Sequence, residues 1–215
     1  MNHIYAVLTV IVAYLIGSIN FAVIFTKKYN NVDVRDYGSG NAGATNVLRV
    51  AGKRAGIATF ALDIIKGAVA TSLGVLVFSL LPFHYEYGMF YCALGCMLGH
   101  CFPIFFGFRG GKAVAASVGI FAICCPIAII SGLIVFAISV VISRIVSLSS
   151  LLATLVVVGV TIAVAYSGGF ANDVNPLIIT ILTSACGLVV ILRHLENIKR
   201  IFSGTEKKFS MKKEN

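Results

Sequence analysis

Residues 113–143 read AVAASVGIFAICCPIAIISGLIVFAISVVIS, an apolar run too long for one crossing of a bilayer, which takes about 20 residues. Cys124-Cys125-Pro126 lies near its middle, and proline there removes a helical hydrogen bond and collides with the preceding turn. The run therefore divides into two short helices, about 113–124 and 127–143. Further apolar segments lie at 4–26, 56–81, 88–101, 148–166 and 177–192, so the division makes the total seven instead of six. Charge placement favours the odd number, because Lys and Arg accumulate in cytoplasmic loops. With the N-terminus outside and seven crossings, Lys27, Lys28, Arg35, Arg49, Lys53, Arg54, Arg109, Lys112, Arg144, Arg193 and every basic residue after it share the cytoplasmic side. The outside loops, 82–87 and 167–175, carry only Glu86 and Asp173 as charges. Six crossings would strand the polar cluster at His194 on the opposite face.

The composition agrees. The chain of 215 residues is 59% hydrophobic and 12% charged, with a mean hydropathy of +0.97, which excludes a soluble domain and describes an all-α polytopic membrane protein. Residues 1–215 read as one domain without internal repeats. The net charge of +9 is scattered between apolar runs instead of gathered in a stripe, so anionic lipid headgroups or phosphate compounds are expected partners and nucleic acid is not. The first apolar run lacks a basic flank before it and has Lys27-Lys28 after it, the pattern of a retained anchor and not of a cleaved signal. The six cysteines, Cys92, Cys96, Cys101, Cys124, Cys125 and Cys186, fall in apolar segments without ligand partners and read as small buried residues.

Polar residues gather in four clusters, all assigned to one membrane face. The first, Gly38-Ser39-Gly40-Asn41-Ala42-Gly43-Ala44-Thr45-Asn46-Val47-Leu48-Arg49, has the composition of a phosphate cradle: glycines that let N–H groups approach an oxyanion, hydroxyl and amide side chains, and a cation. A glycine-rich interfacial loop leading into a helix near Thr45 or Asn46 has the same composition. The second places Gly110-Gly111-Lys112 before a new helix, which suits an anionic oxygen, although the spacing is not that of a Walker loop. The aromatic run 102–108 fits interfacial anchoring or contact with an acyl chain. The third is His194 to Glu206; on a continuing helix His194, Asn197 and Ile201 share a face, and Arg200 follows. Arg144, Ser147, Ser149 and Ser150 form the fourth, with helix capping as the default explanation. Asp63 and Lys66 lie within a helix on one face, either as a structural ion pair or as a substrate contact. No carboxylate set suits magnesium and no Ser-His-Asp trio is evident, so neither metal nor cofactor is expected.

Three motifs together carry a resemblance. Gly38-Ser39-Gly40-Asn41-x-Gly43-x-Thr45-Asn46-x-x-Arg49, then Gly99-His100-x-Phe102-Pro103 with Gly110-Gly111-Lys112-x-Val114-Ala115, then His194-x-x-Asn197-Ile198-x-Arg200 with Gly204-x-Glu206, are similar in order and spacing to the signature of the bacterial acyl-phosphate:glycerol-3-phosphate acyltransferases. The resemblance covers essentially the whole chain. Ala116, Arg109 and Ile201 depart from the residues common at those positions, and Ala116 withdraws one possible phosphate hydroxyl. The resemblance implies a seven-helix protein of the bacterial cytoplasmic (inner) membrane with its motifs facing the cytoplasm. It further implies acyl transfer from acyl phosphate to the 1-hydroxyl of glycerol 3-phosphate, giving lysophosphatidate and inorganic phosphate for phospholipid synthesis. Ser39, Arg49, Lys112, His194 and Asn197 are then the expected catalytic residues. Gly40, Asn41, Gly43, Thr45, Asn46, Gly110, Gly111, Ser147 and Arg200 are the expected substrate-binding residues, and membrane lipid is the remaining partner, with no obligate protein partner. An acyl phosphate is an activated mixed anhydride, so such a protein mainly has to orient two anions and offset their repulsion, without a covalent intermediate. His194 is either a general base or a positioning group. The competing classes are a transporter or channel for a phosphorylated solute, which would carry polar residues through mid-membrane, and a membrane phosphatase or alcohol phosphotransferase, which would show a metal-binding Asp series or a paired His and Arg arrangement.

Overall fold

The computed structural model describes residues 2–208, and the regular structure among them is helical. Lys212 and Lys213, which the charge argument includes, lie outside the described residues. In chain order the helices are α1 (Asn2–Gly17), α2 (Phe21–Asn30), α3 (Ala44–Ser79), α4 (Tyr85–Cys101), α5 (Val114–Cys124), α6 (Pro126–Ser143), α7 (Val146–Tyr166), α8 (Pro176–Arg193) and α9 (Leu195–Phe202). Residues 113–143 divide where the proline requires. Cys125 ends α5, and Pro126 opens α6 at a first-turn position, where a missing N–H leaves no bond unmade. Six stretches are long and apolar enough to cross a membrane: α1 with α2, α3, α4 with the turn after it, α6, α7 and α8. The remaining apolar helix, α5, has 11 residues.

Two breaks fall where the apolar pattern runs on. Within 4–26 the helix stops at Gly17, and Asn20 starts α2 afresh by accepting the Val23 N–H at 3.2 Å. The other lies in α3, which spans 36 residues and begins at Ala44, next to the start expected near Thr45 or Asn46. Gly52 interrupts it with φ 82° and ψ 179°, and the chain turns so sharply that Gly56 packs on Leu48. Only glycine adopts that conformation without strain. Gly52→Ala is therefore expected to lower stability by about 1–3 kcal/mol, seen as a reduced thermal midpoint in detergent.

α4 is the central helix, packed against α1, α3, α5 and α8, with Phe90 and Met97 enclosed. Close helix approach depends on missing side chains: a Cβ at Gly17 or Gly99 would enter the backbone across the α1–α4 contact, and one at Gly67 or Gly119 across α3–α5. Such approaches replace, between helices in lipid, the hydrophobic drive that water would supply. Ile130, Ile138, Val141 and Ile142 point outward from α6. All six cysteines are buried and free. A separate small core of Ala22, Val23, Val34, Ala42 and Val47, edged by Phe106, seats the first polar loop on α2.

Candidate active site

The first loop is shaped by its own side chains. Asn46 is buried, and its carboxamide is fully engaged: Oδ1 accepts the Ser39 N–H at 2.9 Å, while Nδ2 donates to the Val34 and Tyr37 carbonyls, each at 2.9 Å. Gly38, at φ 65°, passes so close to Asn46 Oδ1 that a Cβ would overlap it. Upstream, Arg35 binds both oxygens of Asp33, at 2.9 and 2.7 Å, and donates to the Phe106 carbonyl at 2.7 Å. Those hydrogen bonds hold the Asp33 carboxyl well below the usual carboxylate range. Arg35 thus ties the first polar loop to the second.

The second loop differs from the expectation in its donors. Gly110 N–H donates to the Cys101 carbonyl at 3.2 Å and Gly111 N–H to the His100 carbonyl at 3.1 Å, so neither is left for an anion. Their carbonyls accept from Arg193, Nη2 to Gly110 and Nε to Gly111, each at 3.0 Å. Arg193 itself lies over the Phe102 ring, 5.4 Å from its centroid. The glycines serve close packing: a Cβ on either would strike His100. The orphan donors are the first N–H groups of α5, beginning at Val114 and Ala115, and those of α3 at Ala44 and Thr45. Both helix starts line the same cleft.

The third and fourth clusters merge through Glu206. Its Oε1 accepts from Ser147 Oγ and Asn197 Nδ2, each at 2.6 Å, and its Oε2 from Arg200 Nε at 2.7 Å. Asn197 Oδ1 in turn accepts from Lys112 Nζ. Burial pushes the Glu206 carboxyl up, but these hydrogen bonds and the Arg200 charge bring it below its ordinary value. Ser149 and Ser150 donate instead to carbonyls four residues back, at 2.9 Å each, so they do not cap α7. Arg144 adopts the left-handed conformation that ends α6 and stays outside the cleft. The continuing helix expected beyond Arg193 is broken at His194, where α8 ends and α9 begins.

His194 is buried, with Nδ1 2.8 Å from the Val190 carbonyl, which accepts from it and leaves Nε2 as an acceptor. Burial, then the Lys112 charge, lowers its pKa to about 4, so the ring is neutral at physiological pH. Burial likewise lowers Lys112 to about 8, opposed by Glu206 and reinforced by Arg200, Arg193 and Arg49. Five cations, Arg49, Lys112, Arg193, Arg200 and Lys207, and three carboxylates, Asp63, Glu196 and Glu206, line one cleft of about 770 Å³. Every expected site residue lines it except Gly111. Ser39, Gly40, Thr45 and Arg49 face it from exposed positions. Val114, Phe136 and Ser150 continue the wall into a small apolar pocket between α5, α6, α7 and α8. Arg35, Arg193 and Glu206 were not among the expected site residues.

A family model described as glycerol-3-phosphate acyltransferase matches residues 7–204. The chain belongs to the glycerol-3-phosphate acyltransferase family. A curated glycerol-3-phosphate acyltransferase of Thermoanaerobacter sp. (strain X514) is 41% identical over 98% of both chains. Glycerol-3-phosphate acyltransferase 2 of Bacillus anthracis is 41% identical over 94% of this chain and 98% of its own. Among solved structures, the glycerol 3-phosphate form of PlsY (YgiH), an integral membrane glycerol 3-phosphate acyltransferase, superposes with a TM-score of 0.81 at 33% identity, covering 95% of this chain and 96% of that one. The lysophosphatidic acid form of PlsY gives 0.78 at 31% identity, with 95% of each chain covered. Family membership makes the chain an integral membrane acyltransferase of lipid synthesis, as its apolar helices require.

Proposed function

We propose that the chain transfers an acyl group from acyl phosphate to the 1-hydroxyl of glycerol 3-phosphate, releasing inorganic phosphate and lysophosphatidate. The observation that carries this reading is one cleft bearing Arg49, Lys112, Arg193, Arg200 and two helix N-termini, with an apolar exit. Two phosphates need that much positive charge, and an acyl chain needs the exit. The glycerol 3-phosphate and lysophosphatidic acid forms of the solved relative support the acceptor and the product. The positive charge suits a phosphate-bearing acyl donor, and the resemblance of the three motifs supports acyl phosphate as that donor. In a seven-crossing arrangement with the N-terminus outside, the cleft faces the cytoplasm of a bacterial inner membrane.

In this reading Lys112, Arg49, the hydroxyls of Ser39 and Thr45, and the α3 and α5 N-termini hold phosphate oxygens. Asn46, Gly110 and Gly111 act indirectly by shaping the loops, and Ser147 and Arg200 act with Glu206 to place Asn197 against Lys112. His194 Nε2 accepts a hydrogen bond from the attacking hydroxyl and aims it at the acyl carbonyl. The oxygen–carbon bond forms as the carbonyl–phosphate bond breaks, and the hydroxyl proton passes to a phosphate oxygen. Phosphate, whose second pKa is about 6, is a stronger base than an imidazole lowered to about 4.

The test is direct: purified protein is incubated with glycerol 3-phosphate and either acyl phosphate or acyl-CoA, and lysophosphatidate and phosphate are measured. Product with acyl-CoA alone would overturn the donor assignment. The pH dependence follows from Lys112. Its ammonium holds phosphate, so kcat/KM is expected to fall as pH rises through about 8 in the free enzyme. Bound phosphate favours the protonated amine, so kcat is expected to persist to higher pH. His194 stays neutral across that range.

A further inference from the structure

Among the buried ionisable side chains that the proposed reaction leaves unused, three adjoin one another. Asp63, Lys66 and His100 are 2%, 4% and 6% exposed, and Asp63 and His100 line the floor of the cleft. Lys66 is well satisfied: Nζ donates to the Ile19 carbonyl at 2.7 Å, at the break between α1 and α2, and sits over the Phe21 ring. Its Nζ also lies 2.9 Å from Asp63 Oδ1, but too obliquely for a hydrogen bond, and Oδ1 keeps its acceptor capacity. That oxygen faces His100 Nδ1 at 3.7 Å, and Nδ1 has no hydrogen-bond partner either. Oδ1 has the Lys66 ammonium beside it, whereas the buried His100 Nδ1 has no partner nearer than this carboxylate. A carboxylate serving only as counter-ion to Lys66 would account for neither the imidazole nor the gap.

The far edge of the His100 ring shows what the pair can act on. His100 Nε2 lies where a Cβ on Gly111 would fall, and the His100 carbonyl accepts the Gly111 N–H. Lys112 is the next residue. A shift of less than an ångström that brings Nδ1 into hydrogen-bond distance of Oδ1 would move the ring on which the backbone before Lys112 packs, and so the resting place of that loop.

We propose that Asp63 and His100 are a positioning pair, whose closure from 3.7 Å into a hydrogen bond seats the Gly110–Lys112 loop on the phosphate of glycerol 3-phosphate. The proposal rests on the functional reading above. Asp63 orients His100, His100 backs the loop, and Lys66 anchors the carboxylate to α3 and to the α1–α2 break.

The experiment pairs two substitutions, Asp63→Leu with Lys66→Met, which remove the ion pair without leaving a lone buried charge. Wild-type lysophosphatidate formation is measured first, and its absence would overturn the functional reading itself. Given wild-type activity, the double variant is expected to raise KM for glycerol 3-phosphate about tenfold, within the range of coupled neighbours, while kcat and KM for the acyl donor change little. A wild-type KM in the double variant would make Asp63 and Lys66 a structural ion pair and overturn the proposal. A second measurement needs no substitution: in wild-type protein with nitrogen-labelled histidine, glycerol 3-phosphate is expected to produce a hydrogen-bonded Nδ1 proton on His100. A His100 resonance unmoved by saturating glycerol 3-phosphate would overturn the proposal equally, even if the double variant failed to fold.

Discussion

Lys112→Ala protein is expected to lose about a hundredfold to a thousandfold in kcat/KM, the scale on which deleting one preorganised donor acts in an enclosed site. Lys112 is the cation on which the most features converge. It follows the Gly110–Gly111 clasp, opens onto the α5 N-terminus, and donates to Asn197 from the opposite wall. Burial, and after it Arg200, Arg193 and Arg49, depress its pKa, because the cations crowd one small volume. A bound phosphate relieves that crowding, so losing Lys112 removes the cation that holds the phosphate of glycerol 3-phosphate and presents its hydroxyl for attack. The variant should also lose the alkaline limb of the pH profile, because the group responsible for it is gone. Phosphate release by folded Lys112→Ala protein at the wild-type rate would refute the assignment. Arg49→Ala is expected to fall in the same direction.

Glu206→Ala is expected to cost about 3 kcal/mol of stability, as removal of one partner from an enclosed charged network does, and to abolish most activity. Its carboxylate collects Ser147 from α7, Asn197 and Arg200 from α9, and through Asn197 it holds Lys112. Without it, three donors lose their acceptor, and Arg200 becomes a free cation beside Lys112. Glu206→Gln separates the two effects. It keeps an acceptor oxygen for Asn197 but loses the charge that balances Arg200, so it should retain more stability than Glu206→Ala while remaining a poor catalyst. Thermal unfolding in detergent and phosphate release measure both. An alanine variant with an unchanged midpoint and unchanged turnover would remove Glu206 from the site.

Much of the architecture was legible because lipid imposes strict local rules. Pro126 dividing residues 113–143 could be read from covalent geometry alone, and the burial of all six cysteines from their apolar neighbours. The bend at Gly52 could not, since a lone glycine in a helical pattern gives no sign of its φ until the tertiary fold selects one. Asn20, a good capping residue within the first apolar run, was the available sign of the α1–α2 break. In the site, residue types were readable and partners were not. Arg193 looks like a basic helix end and Glu206 like a surface charge; only the fold brings one onto the Gly110 and Gly111 carbonyls and the other beneath Lys112 and Asn197. The glycine pair shows the same limit, because its composition suggested free N–H groups while chain reversal at His100 and Cys101 uses them.

The shortness of α5 has a consequence for the membrane itself. At a rise of 1.5 Å per residue it covers only about 16 Å, roughly half the hydrocarbon thickness. A helix that begins at the cleft and turns at Cys125 is too short to match a full bilayer, and packed on α3, α4 and α6 it leaves room at one end for a water-filled notch. A notch of that depth would let a soluble glycerol phosphate meet an acyl tail without pulling the tail into bulk water. Bilayer thickness then becomes a variable of the reaction, and turnover in vesicles should vary with the chain length of the host lipid.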